Sequence, residues 1–147
     1  MNQELQDKLY NTFPKLYRQK DLPMDQTCMN WGFECRDGWY KLLYDLSEEL
    51  TYLSEKLNVE VEATQVKEKF GTLRFYIHTF GKESELDDIA FRIVYACIRG
   101  AENESAYTCE QCGVRGKIRG KYWKYTSCEE HSKEEDKELD DDESNLP

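Results

Sequence analysis

The chain has 147 residues, with 30 acidic against 20 basic side chains and a formal net charge of −10. That length supports one compact domain of roughly 100 residues with an appendage, and no apolar run approaches the ~20 residues needed to cross a bilayer. Residues 1–5 lack both the basic start and the apolar stretch of a secretory leader, so the expectation is a soluble cytoplasmic protein with no membrane partner.

Leu5, Leu9 and Phe13 recur at four-residue spacing, and Leu16 and Tyr17 continue the apolar face beyond Pro14. This predicts a short amphipathic helix interrupted near Pro14. Residues 17–37 show no clear period, contain Pro23 and Gly32, and lead into a run dense in aromatics that is expected to be a loop. From 38 to 58, Trp39, Leu42, Leu43, Leu46, Leu50, Leu53 and Leu57 form one broad helical stripe, with Asp37 as the expected cap. The period then changes to two. Val59, Val61 and Ala63 alternate with Glu60 and Glu62, and Leu73, Phe75 and Ile77 alternate with Arg74, Tyr76 and His78. Two antiparallel strands joined through 67–71 follow. The second carries aromatic or amphipathic groups on both faces, so its outer face is either half covered or open to a partner. A third helix is expected from Ser84, whose spacing to Asp87 resembles a capping box, through Leu86, Ile89, Ala90, Ile93, Val94 and Cys97 to Gly100. A linker at 101–104 completes an α+β domain, 1–104, with helices packed on a small antiparallel β-sheet.

The most specific signal follows. Cys109-x2-Cys112 and Cys128-x2-His131 are two close-spaced ligand pairs separated by 15 residues, a hairpin-sized interval. Four such ligands can surround one tetrahedral ion, and Gly113 permits the tight turn behind the first pair. The pattern predicts a C-terminal zinc ribbon, 105–131, holding one structural Zn2+; the alternatives are a disulfide or a redox Cys-x2-Cys. Within 105–128 the bases Arg115, Lys117, Arg119, Lys121 and Lys124 face one acid, Glu110. The segment after Cys128 is strongly acidic, and a disordered tail is expected over 132–147. That tail either solvates the chain or competes with nucleic acid for the basic ribbon.

The strings CMNWGFECRDGW at 28–39 and QVKEKFGTLRFY at 65–76, with the closing Cys-x2-Cys-Gly and Cys-x2-His, resemble an uncharacterised family of small bacteriophage and prophage proteins. The resemblance spans most of 5–131. It implies a phage accessory role in the bacterial cytoplasm, a setting in which small proteins often bind and block host enzymes or defence systems. It implies no catalytic residues.

The residues themselves point away from catalysis. His131 is spent on the metal, His78 stands alone on a strand, and Glu60, Glu62, Glu68, Asp87 and Asp88 fall where a solvated strand face and a helix start would put them. There is no nucleophile elbow, phosphate-cradling glycine loop or His-Glu-x2-His pair, and a Cys3His set leaves no open position on zinc. Cys28 and Cys35 are spaced widely for a zinc turn and are expected as buried thiols, the alternative being a second metal; Cys97 fits the core face of the third helix. Three functions remain. The leading one is a non-enzymatic protein that binds and inhibits a host protein, with Trp31, Phe33, Arg36 and Trp39 as the contact surface; the alternative for both tryptophans is the core. The second is nucleic-acid binding by Arg115, Lys117, Arg119, Lys121, Trp123 and Lys124, helped by Tyr122 and Tyr125. The third is a small-molecule or nucleotide sponge built on Lys67, Lys69, Arg74 and the aromatic strand face.

Overall fold

Asn2 starts the first helix, α1 (Gln3–Thr12), by accepting a hydrogen bond from the Leu5 amide at 3.0 Å. Asp37 in turn accepts from the backbone and side-chain amides of Asn2 at 2.7 and 2.8 Å. Asp37 therefore fastens the beginning of α1 and is not the cap expected for the next helix, α2 (Tyr40–Leu57), which starts without a side-chain cap. The computed structural model describes residues 1–80 and 85–136. Pro14 follows the end of α1, and residues 13–39 then form three single 3-10 turns, Arg18–Asp21, Met29–Trp31 and Asp37–Trp39, with a two-residue strand, β1 (Phe33–Glu34).

The chain turns at Asn58, in the left-handed conformation with φ 53°, into β2 (Glu60–Lys69), which pairs antiparallel with β3 (Thr72–Phe80). β1 lies parallel to the other edge of β2, with Phe33 opposite Val66, so the sheet is mixed in the order β1-β2-β3. An all-antiparallel sheet was expected because a two-residue strand is too short to display alternation. A bulge at Thr64 separates the pairs Ala63–Ile77 and Gln65–Tyr76, and the Thr64 carbonyl accepts from the Cys28 amide at 3.1 Å. The loop 13–31 is thereby held against the sheet.

The final long helix, α3 (Glu85–Ser105), packs on α2 and β3. Its expected cap, Ser84, lies outside the described residues. At the other end it runs through Gly100 and takes in the expected linker. Two bonds to the sheet account for this: Glu102 Oε1 accepts from the Phe75 amide at 3.0 Å and Ser105 Oγ from the Leu73 amide at 2.8 Å. These bonds hold the last turn in place past a residue that intrinsically disfavours helix.

The core joins Leu9, Phe13, Leu16, Tyr17 and Trp39 to Leu43, Leu46 and Leu50 of α2, Val66, Leu73 and Phe75 of the sheet, and Val94 and Ile98 of α3. Tyr17 Oη shares a proton with Ser47 Oγ at 2.6 Å, which satisfies the one polar atom that a buried tyrosine brings inside. Glu62, expected on a solvated face, is buried. Its carboxylate accepts from Arg18 Nη2 and from Gln19 Nε2 at 2.7 Å. Burial pushes its carboxyl up, but these two donors outweigh that and hold it below the usual carboxylate range. No helix among the described residues is long and apolar enough to cross a membrane.

Candidate metal centre

Cys109 and Cys112 sit on one tight turn. The Cys109 amide donates to Val114 O at 2.8 Å, the Gly113 amide returns to Cys109 O at 2.8 Å, and Gly113 takes φ 78°, which a side chain would resist. The chain then forms a hairpin, β4 (Lys117–Arg119) with β5 (Tyr125–Ser127), which delivers Cys128 and His131 to the same place. Cys112 Sγ lies 3.7 Å from Cys128 Sγ, and His131 Nδ1 lies 3.3 Å from Cys128 Sγ and 3.6 Å from Cys109 Sγ. A tetrahedral ion bound at the usual zinc distances has edges of about 3.8 Å between sulfurs and about 3.5 Å between sulfur and nitrogen. The four atoms all fall within 4.8 Å of one another, so this cluster could hold a metal ion. Burial pushes the Cys109 thiol up, but the amides of Cys128, Cys112 and Gln111 aimed at its sulfur outweigh this and bring it down to about 6.

The cluster is fastened to the α+β core along a seam made by both of the aromatic strings. From 28–39, the Gly38 amide donates to Glu110 O at 2.8 Å, the Arg36 amide to Glu110 Oε1 at 3.0 Å, and Trp39 Nε1 to Thr108 O at 2.8 Å. A Cβ on Gly38 would lie 2.6 Å from the backbone nitrogens of Cys112 and Gly113 and closer still to Cys109 O. From 65–76, the Gly71 carbonyl accepts from Thr126 Oγ1 at 2.5 Å, and a Cβ on Gly71 would come within 3.2 Å of the Tyr125 backbone. Glycine at 38 is thus explained by close approach of the backbones, and at 71 by a φ of 80° together with that approach. A cleft of about 520 Å³ runs along this seam, lined among others by Arg36, Glu68, Glu110, Trp123, Lys124 and His131. Burial raises the Glu110 carboxyl within it.

The expected contact residues divide sharply. Phe33 and Trp39 are buried in the core, so they offer no surface to a partner, whereas Trp31 is 64% exposed and Arg36 is exposed. Among the ribbon bases, Arg119 is buried and ion-paired through Nη2 to Glu129 Oε2 at 2.5 Å, so it is structural. Lys117, Lys121 and Lys124 are exposed, and Arg115 lies over the Tyr107 ring at 5.2 Å. Tyr122 and Trp123, at the hairpin tip, are 91% and 76% exposed. Tyr125 instead turns inward: its hydroxyl donates to Asp136 and accepts from the Lys133 amide at 3.0 Å. These bonds give order to residues 132–136, where a disordered tail was expected to begin; the remainder of that tail lies outside the described residues. Arg74 Nη1 is held by Thr72 Oγ1 and Leu73 O at 2.6 and 2.7 Å, and His78 is exposed and stacked on Phe80 at 4.2 Å. Cys28 is exposed, contrary to expectation, while Cys35 is buried and pushed up to about 12 by that burial. Cys97 is half-buried against the core. Among the described residues neither Cys28 nor Cys35 joins a metal-ligating cluster.

Phe70, which is not among the expected site residues, is 70% exposed at the β2–β3 turn with φ 55°; its neighbour Gly71 marks the turn in the sequence, but nothing in the pattern marks the phenylalanine. Comparison with protein-family models, with curated proteins and with solved structures finds no match for this chain.

Proposed function

We propose that this chain is a non-enzymatic protein in which one structural Zn2+, held by Cys109, Cys112, Cys128 and His131 in a zinc ribbon, fixes a hairpin that binds single-stranded nucleic acid. The observation that carries the reading is the hairpin tip. Tyr122 and Trp123 stand almost wholly in solvent between Lys121 and Lys124. Exposed aromatic rings cost solubility unless a ligand covers them, and rings flanked by lysines suit bases that stack beside phosphates. Four of the nearby acids are engaged within the protein: Glu129 by Arg119, Glu110 by the Arg36 amide, Glu68 by the Gly71 amide, and Asp136 by Tyr125. Four protein ligands leave the metal no open coordination position, which supports a structural and not a catalytic ion. The test is titration of the zinc-loaded protein with a labelled oligothymidylate of about 12 nucleotides. Trp123→Ala should weaken binding about 5- to 100-fold, and affinity should fall steeply with salt. Salt-independent binding, or none, refutes the reading.

A second reading, inhibition of a host protein such as a defence enzyme, is favoured by Trp31, which is 64% exposed. Trp31→Ala would then abolish capture of that protein without lowering the melting temperature. On the resemblance of 28–39 and 65–76 alone, the proposed setting is the cytoplasm of a bacterium carrying phage genes.

A further inference from the structure

Phe70 is unexplained by the fold. It occupies the first central position of a two-residue turn in which both φ values are positive, 55° for Phe70 and 80° for Gly71. Asparagine, aspartate or glycine suits that position, and a bulky side chain there is strained. The ring recovers little by burial, since it is 70% exposed, and Lys69 Nζ lies over it at 5.4 Å, a surface interaction weaker than the strain. The turn is nonetheless held tightly, with the Gly71 amide donating to Glu68 Oε1 at 2.6 Å and the Gly71 carbonyl bound by Thr126. A strained, exposed aromatic ring is therefore presented on a rigid support.

The strand face behind it shows a second local conflict. Lys67 and Arg74 are direct cross-strand partners, a like-charge pairing that disfavours the sheet, and Lys69 follows on the same face. Glu34 flanks Lys67 on β1 and also accepts from Gln65 Nε2 at 3.1 Å, so one carboxylate faces Lys67, Lys69 and Arg74 and the face keeps a net positive charge. An anion lying over this face would relieve the repulsion. The turn also abuts the ribbon, because Gly71 packs on the backbone of Tyr125, the residue that follows Trp123 and Lys124 in the chain.

We infer that Phe70, with Lys67, Lys69 and Arg74, is the second half of one binding surface that the ribbon tip begins, and that this surface takes a single-stranded nucleic acid, its bases on Phe70 and Trp123 and its phosphates along the lysines. This rests on the nucleic-acid reading proposed above. Bases can stack on such rings only when splayed out of a duplex, which sets the ligand as single-stranded.

The experiment compares oligothymidylate binding by zinc-loaded full-length protein, Phe70→Asn, Lys67→Gln and Trp123→Ala, with the melting temperature of each. Asparagine suits the turn, so Phe70→Asn should melt about 3 °C higher while binding about 5- to 100-fold more weakly. Lys67→Gln should reduce the salt slope by about one unit. Opposite changes in stability and affinity at one residue are the signature expected of a ligand contact and not of a structural residue. If wild type binds, Trp123→Ala weakens it and Phe70→Asn does not, the extended surface is refuted while the ribbon reading stands. If wild type binds no oligonucleotide at low salt, both are refuted.

Discussion

Gly38→Ala tests the attachment of the metal cluster to the rest of the fold. Gly38 has no positive φ, so alanine brings no backbone strain there, and the effect is purely steric. The new methyl would meet the backbone nitrogens of Cys112 and Gly113 at 2.6 Å, and these atoms cannot rotate away as a side-chain end could. Separating the two segments strains or breaks three hydrogen bonds, from the amides of Gly38 and Arg36 to Glu110 and from Trp39 Nε1 to Thr108 O. At about 1 kcal/mol each, with a further 1–3 kcal/mol for overpacking, the loss comes to about 4–6 kcal/mol. Urea unfolding followed by tryptophan fluorescence would read it, since Trp39 lies at this seam. Gly100→Ala is the control. Nothing lies within 4 Å of a Cβ there, and alanine in an exposed helix interior should add about 1 kcal/mol. If Gly38→Ala is as stable as wild type, the cluster is not packed on the core as described.

Three further outcomes are expected. Cys112→Ser should lose stoichiometric zinc, read by atomic absorption, and unfold 107–131, read by amide exchange, because ligand-derived affinity in such a site is folding energy; retained zinc and an unchanged segment would refute the four-ligand set. Glu62 is held below the ordinary carboxylate range in the folded state, so the unfolded chain takes up the proton first as pH falls. Its contribution is therefore present above about pH 4.3 and lost below it. Glu62→Gln should cost about 1–2 kcal/mol at pH 7 and flatten the acid limb of a stability-against-pH profile; an unchanged limb would refute the pairing with Arg18 and Gln19. Truncation after Asp136 removes a run that contains Glu138, Asp140, Asp141, Asp142 and Glu143. Because Asp136 is fixed on Tyr125 at the foot of the hairpin, the truncated chain should bind oligonucleotide more tightly at low salt, with the difference fading as salt screens it.

Much of this fold was legible from periodicity. The stripe from Leu42 to Leu57 lies in α2, the alternation at 60–63 and 73–77 lies in β2 and β3, and Cys109, Cys112, Cys128 and His131 meet as their spacing implies. What the sequence concealed was set by long-range contacts. β1 is two residues long, and only its pairing with Val66 and Lys67 reveals it. The continuation of α3 past Gly100 depends on bonds to the amides of Leu73 and Phe75, which lie 32 and 27 residues before their partners and so outside any local window. Trp39 read equally well as surface or core until the docking of Thr108 onto its indole is seen, and Phe33, expected on the surface, is buried. Arg119 counted among the bases for a ligand, yet a hairpin register that brings Glu129 to it spends the charge internally.

The most direct test of a zinc-fixed nucleic-acid-binding hairpin is one titration series: oligothymidylate affinity of the zinc-loaded protein, of the chelated protein, and of the chelated protein after one equivalent of zinc. Binding that disappears with the metal and returns with one equivalent is the expected result. Equal affinity with and without zinc, or no binding in any state, would contradict it.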